Sequence, residues 1–302
     1  MELERRFASD EACREYLFQL RWPEGFACPR CQGGSAWPAS RGRLVCGACR
    51  HQTSVTAGTI FQDTRTPLVV WFRAVWYVTS QKNGTSASSI QRILGLRSYQ
   101  TAWTWMHKLR RAMVRPSRDK LRGRVEVDET FVGGEDPKHG TWVEQKAVVV
   151  IAAEEDGRGI GRIRLASVSS PTRYNLHGFA QATIEPGSVV HTDGSTAWRG
   201  LKALGYKHKR TVLLKKADKN AATRLLPRVH RVASLLKRWL LGTHQGAVEP
   251  EHLDYYLDEF AFRFNRRTSR SRGKLFYRLL QQAVEIPPTT YREMIGGKTP
   301  QE

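Results

Sequence analysis

Four cysteines constrain this chain more tightly than any other feature. Cys28-Pro-Arg-Cys31 and Cys46-Gly-Ala-Cys49 are two Cys-x-x-Cys pairs with fourteen residues between them. Two such knuckles at that distance can close a tetrahedral thiolate cage around zinc. A redox role would need only one pair, so the spacing favours structural Zn²⁺ held by Cys28, Cys31, Cys46 and Cys49. With four thiolates and no open position, such a metal holds a fold together and does no chemistry of its own. Residues 1–62 are therefore expected to form an amino-terminal helix, over about 9–20, followed by a zinc ribbon. Cys13 lies within that helix and reads as a small buried apolar residue.

Charge narrows the partner. Lys and Arg number 49 against 28 Asp and Glu, a formal charge of +21, and such a surplus calls for a polyanion, nucleic acid above all. No apolar run approaches the ~20 residues of a spanning helix, and MELERRF is too charged for a secretory signal. A cytoplasmic protein is expected, without membrane contact.

After the ribbon, Thr66-Pro67 opens a helix closed by Gly84, a second runs from Ser86 to Gly95, and a third starts at Ser98. Short helix, glycine turn and longer basic helix make residues 63–116 helix-turn-helix-like. Trp71, Trp76, Trp103 and Trp105 are its expected core. Arg97, Lys108, Arg110 and Arg111 are its candidate DNA contacts. Residues 108–124 carry eight Lys or Arg and one acid, which suits a linker that touches phosphates.

The next stretch, RVEVDETFVGG (124–134), alternates as a strand. Val125, Val127, Glu129 and Phe131 fall on one side of the pleat, and Glu126, Asp128, Thr130 and Val132 on the other. A carboxylate within a β-branched strand is costly to bury unpaired. KAVVVIAAEE (146–155) and IGRIRLASV (160–168) flank an Asp156-Gly157 turn, a hairpin signal. A helix to about Ala182, the strand SVVHTD (188–193), a helix from Ser195, a basic strand over 206–216 and helices at 228–241 and 250–266 complete the pattern. The expected fold class over residues 117–285 is α/β, a mixed five-stranded sheet with flanking helices, leaving 286–302 as a tail.

Asp128 lies inside the first of these strands and Asp193 ends the fourth. Ligands of open α/β sheets gather at strand ends, so neighbouring strands would bring the two carboxylates to one divalent-cation site. Mg²⁺ commonly takes one or two carboxylates plus substrate phosphates. In RVHRVASLLKRWLL, His230, Ser234 and Lys237 share one helical face while Val229, Val232 and Leu236 form the apolar stripe. From spacing alone an exposed charged face is the favoured reading.

VEVDETFVGG, HTDGSTAW, VHRVASLLKRWLLGTHQG and HLDYYLDEFAFRFNRR, in this order behind a Cys-x-x-Cys ribbon, resemble the Merlin-related bacterial insertion-sequence transposases. The resemblance runs from about Phe18 to about Arg267. It implies a ribonuclease-H-like catalytic domain of the DDE class, two Mg²⁺ (or Mn²⁺) ions, and cleavage and joining of double-stranded DNA at element ends by a protein at least dimeric on DNA. Asp128 and Asp193 match the first two acidic positions, and His230 stands where many such enzymes have a third acid. Lys237 matches the family's following basic residue. Leu235 competes with His230 for the third position and has nothing to coordinate with. Glu259, Arg263 and Arg266 match an acid-then-two-arginines signature, readable as a salt bridge or a phosphate clamp. A transposase-derived regulator with a dead core would keep the basic patches without needing Asp128 and Asp193. A junction or guide-type nuclease would leave the ribbon unexplained.

Overall fold

The computed structural model describes residues 2–115, 117–133, 146–211, 225–246 and 248–296. They form two compact units, Met1–Arg115 with Ser269–Glu302, and Pro116–Thr268.

The first unit opens with helices α1 (Glu2–Arg6) and α2 (Asp10–Arg21). The Ser9 hydroxyl starts α2 by accepting the Ala12 N–H at 3.2 Å, as an N-cap does. Cys13 is fully buried, and burial pushes its thiol up to about 12, so it behaves as the small apolar residue expected. Strands β1 (Ala36–Ala39), β2 (Arg43–Cys46) and β3 (Gln52–Ser54) form an antiparallel sheet in that order. It carries the cysteine knuckles.

Helices α3 (Leu68–Ser80), α4 (Ala87–Leu94) and α5 (Tyr99–Ala112) come next. Ser86 and Ser98 cap α4 and α5 through their hydroxyls, and the Leu96 N–H closes the turn at Gly95 on the Gln91 carbonyl at 3.0 Å. The starts of α4 and α5 and the turn between them are therefore set by local capping chemistry. Trp71 and Trp105 are buried and stack with ring centroids 3.7 Å apart. Trp76 and Trp103 are only half-buried.

The second unit is built on β4 (Arg124–Val132), β5 (Ala147–Asp156), β6 (Gly159–Val168), β7 (Val189–Thr192) and β8 (Lys207–Arg210), with α6 (Arg173–Thr183) between β6 and β7. Strand order is β6-β5-β4-β7-β8. The first three are an antiparallel meander, and β7 and β8 add in parallel beside β4. This is the mixed five-stranded, ribonuclease-H-like layer expected. Of the predicted basic strand over 206–216, Lys207–Arg210 is β8, and residues from 212 lie outside the described ones.

Helices α7 (Pro227–His244) and α8 (Leu253–Asn265) complete the unit. Their apolar residues Val229, Val232, Leu236, Leu257 and Phe260 pack with Val149, Ile151 and Ala153 on one face of the sheet. Leu176, Phe179 and Trp198 pack with Val125, Val127, Val150 and Ala152 on the other. Burial on both faces is why β5 reads as a continuous apolar run and not an alternating one.

Two expectations are corrected. The helix predicted from Ser195 is a pair of 3-10 turns, Thr196–Trp198 and Leu201–Leu204. Gly200, at φ 98°, stands in left-handed backbone that no continuous helix passes through. The stretch after Asn265, expected to continue the catalytic domain to 285, instead forms α9 (Arg272–Ala283) and α10 (Tyr291–Ile295). Helix α9 packs on α2, α3 and α5, and the second unit ends at Thr268.

Candidate active site

Strands β4 and β7 run in parallel, with Val125 beside Val190 and Glu126 beside His191. Two residues beyond that pair come Asp128, still on β4, and Asp193, just past the end of β7, close enough that the Asp193 charge acts on Asp128. Asp193 is fixed by its own turn, its Oδ1 accepting the Ser195 N–H at 2.9 Å, an Asx arrangement. Asp128 Oδ1 accepts the Glu129 N–H at 3.0 Å. Its other oxygen, Oδ2, lies 3.5 Å from His230 Nε2. That imidazole nitrogen is buried and makes no hydrogen bond among the described residues.

The electrostatics of this cluster are unbalanced. Burial, with the charges of Glu129 and Asp193 beside it, pushes the Asp128 carboxyl up to about 7. Glu129 is raised too, by burial and then by Asp193, although its Oε2 accepts the Trp198 Nε1–H at 3.2 Å. Burial lowers the His230 pKa, Glu126 and Asp193 oppose that shift, and Lys237 adds to it. His230 is accordingly a neutral imidazole at neutral pH, with a lone pair to offer. The Asp193 and Glu129 charges both act on Asp128, and a divalent cation beside Asp128 and the His230 nitrogen would relieve that repulsion.

Helix α7 brings His230 to this place, and a distant residue holds the helix. Its first turn is PRV, and Leu226 before it has no capping side chain. Glu126, buried on β4, supplies the cap from across the unit. Its Oε2 accepts the N–H groups of Arg228 at 2.7 Å and Val229 at 3.1 Å. Its Oε1 takes Arg228 Nη1 at 2.9 Å. The guanidinium also meets Glu155 Oε1 at 3.0 Å and donates to the carbonyls of Gly157 and Gly159, each at 2.9 Å. A carboxylate at a helix start satisfies orphan donors and complements the dipole. It also sets where His230, one turn on, meets Asp128.

Among the described residues, the four cysteines are the one group of three or more ligand-type side chains whose donor atoms all lie within 4.8 Å of one another. Cys28 and Cys49 sulfurs are 3.7 Å apart, and Cys31 and Cys46 sulfurs 3.6 Å. A tetrahedron with Zn–S arms of ~2.3 Å has edges of about 3.8 Å, so the quartet fits zinc.

The remaining sequence candidates divide. Lys237 is exposed on α7, while Leu235 packs against the core cluster beneath the helix, which leaves His230 facing Asp128. Arg97 is exposed in the α4–α5 turn, and Lys108 and Arg111 are half-buried on α5. Arg110 does not fit the DNA-contact role. It is 2% exposed, because it falls in the inward stripe with Ala102, Met106 and Leu109. Glu259 is fully buried and pairs with Arg263, Oε1 to Nη2, at 2.6 Å. That makes Arg263 part of a salt bridge inside α8. Arg266 lies over the Phe262 ring at 4.1 Å. Sequence reasoning missed Glu126 and Arg228 as site-building residues. The signal available was the uncapped Leu226-Pro227 start of α7.

A ribonuclease-H-like sheet with an acid on β4 and another just past the end of β7, in a chain with a four-cysteine ribbon, is the arrangement expected of a zinc-ribbon transposase. Residues 120–265 match the ISXO2-like transposase domain and residues 8–52 the transposase zinc-ribbon domain; the chain belongs to this insertion-sequence transposase family. It is 26% identical over 290 residues to an uncharacterized protein in transposable element ISH50 of Halobacterium salinarum, covering 89% of this chain and 95% of that one. Among solved structures it resembles a chain of the simian T-cell lymphotropic virus intasome in complex with PP2A regulatory subunit B56 gamma. That match has 12% identity, a TM-score of 0.31, and covers 63% of this chain and 74% of that one. The Mos1 strand transfer complex matches at 12% identity and a TM-score of 0.26, covering 76% and 79%.

Proposed function

We propose that this transposase binds the terminal inverted repeats of its insertion sequence and performs divalent-metal-dependent strand cleavage and strand transfer. One observation carries the reading: Asp128 on β4 and Asp193, just past the end of the parallel neighbour β7, each follow the paired Glu126 and His191 by two residues, with the orphaned His230 Nε2 facing Asp128. Asp128, Asp193 and His230 are the residues that would hold Mg²⁺ or Mn²⁺. A divalent cation held there would supply positive charge to polarise the attacking and leaving oxygens of a phosphodiester. The protein's own groups do the positioning. Glu126 and Arg228 fix the start of α7, Ser195 holds the Asp193 carboxylate, and exposed Lys237 offers an ammonium to a substrate phosphate. The formal charge of +21 supplies the attraction for DNA.

The test is incubation of the full chain with labelled duplex carrying the element's ends, in Mg²⁺, in Mn²⁺ and in chelator. Cleaved and joined products should form only with a divalent cation. Binding without cleavage under either metal would instead make the protein a DNA-binding regulator.

A further inference from the structure

The first unit contains a cleft of about 470 Å³ that no part of the proposed cleavage site uses. Arg14, Arg41, Arg43 and Arg65 line it, together with four serine and threonine side chains and a single acid, Asp10. We propose that this cleft binds the sugar-phosphate backbone of duplex DNA, an inference that rests on the reading of the protein as DNA-acting.

The acid does not neutralise the cleft. Asp10 Oδ1 is occupied by the Val69 N–H at 3.2 Å, at the start of α3. Its Oδ2 meets Arg14 Nη2 at 3.4 Å, and Arg14 Nη1 is held by Glu11 at 3.0 Å. Arg43 donates to the Ser40 carbonyl and hydroxyl, both at 3.3 Å. Arg41 and Arg65 are exposed and have no carboxylate partner among the described residues. Two guanidinium groups are thus left to an outside anion, while Ser54, Thr56 and Thr64 spend their hydroxyls on bonds within the cleft wall. Guanidinium forks are groups that hold phosphate oxygens.

The β1–β2 turn is shaped for this arrangement. Arg41 sits at φ 61°, left-handed backbone that costs a non-glycine residue energy. Gly42 follows at φ 67°, and a Cβ there would come within 3.1 Å of Arg14 Cδ and Nε. Glycine is what lets the Arg14 side chain lie across the turn. An acidic protein segment could also answer the charge. The +21 surplus of the chain and the four arginines of the cleft against one acid favour the polyanionic backbone of DNA.

The experiment measures the affinity of the full zinc-loaded chain for an element-end duplex and a random-sequence duplex, as log K against log salt. Each of Arg41→Ala and Arg65→Ala should weaken both duplexes alike and flatten the salt slope by about 1, and the double variant by about 2. Arg41→Lys should keep most of the slope, and unchanged zinc content separates lost charge from lost fold. A steep wild-type slope that the double variant leaves unaltered overturns the cleft while the DNA-acting reading stands. A flat wild-type slope overturns both. Inorganic phosphate, added at constant ionic strength, should compete only weakly. If it displaces DNA fully from wild type but not from the double variant, the cleft is a free-phosphate site and the DNA-backbone assignment falls.

Discussion

Asp128 and His230 stand 3.5 Å apart, and what each does to the other depends on charge. A neutral imidazole beside a carboxyl raised to about 7 gives a site short of one negative charge compared with three acids. His230→Glu should therefore retain or raise Mg²⁺-dependent cleavage, while His230→Ala should lower it by at least about a hundredfold. Lys237→Ala should cost less, because it holds substrate and not metal. Cleavage rates in Mg²⁺ and in Mn²⁺ for the three variants check this. Equal activity of His230→Ala and wild type would remove His230 from the site.

A second titration belongs to Asp258 on α8. Burial pushes its carboxyl up to about 7, Asp254 adds to the shift and Arg118 opposes it. A carboxyl raised in the folded state favours folding fully below its unfolded value of 3.8 and loses that contribution as pH rises through about 7. Wild type should therefore lose stability relative to Asp258→Asn across that window, by about 1.4 kcal/mol per pH unit at most. Thermal unfolding of both proteins at pH 4.5 to 7.5 reads the difference; parallel curves would refute it.

At this scale the sequence is informative where chemistry is local. Asp128 and Asp193 can be picked out because a carboxylate in an apolar strand needs a reason. Arg110 misleads, because the eight basic residues of 108–124 look alike until the stripe through Ala102 and Met106 is traced one turn further. Glu126 gives no such sign beside Asp128, since its partners lie 102 and 103 residues away.

Among the elements, α7 depends on a cap it does not carry. Glu126→Ala would leave two N–H groups at the helix start without their acceptor, and the Arg228 guanidinium with Glu155 as its remaining carboxylate, at a cost of about 2 kcal/mol. The expected result is a lower melting temperature together with slower cleavage, and a partial rescue of both by Glu126→Gln. Unchanged melting of the alanine variant would show that the helix start is held by something else. The ribbon makes the parallel case with metal. Cys46→Ser should lose the roughly one zinc per chain that four thiolates imply and soften the β1–β3 sheet. It should leave the β4–β8 sheet folded, since those strands form a separate compact unit. Metal analysis with limited proteolysis tests both parts.

Elements with local signals are legible in the sequence: Ser86, Ser98 and Gly95 mark their helices through caps, and Asp156-Gly157 marks the β5–β6 hairpin. Where the signal is weak, legibility ends. Ser195 looks like a cap, and it does accept the Ala197 N–H at 3.3 Å, but Gly200 and Gly205 break residues 196–204 into single turns. Helix α9 carries a good cap at Ser271. Nothing local tells that its apolar face belongs with α2, α3 and α5, which lie about two hundred residues earlier in the chain.

For the whole molecule, the sheet order arises from rules of connection more than from any one residue. Three strands in a meander and two added through crossovers place β4 in the centre, and the centre is where a buried acid can meet another from a parallel neighbour. Among the described residues no helix is long and apolar enough to cross a membrane. If the paired aspartates serve cleavage and nothing else, removing either should separate binding from chemistry. Asp128→Ala and Asp193→Ala should each bind the element-end duplex with near wild-type affinity and salt slope while producing no cleaved strand in Mg²⁺ or Mn²⁺. Cleavage by either variant at the wild-type rate would show that these carboxylates do not hold the catalytic metal.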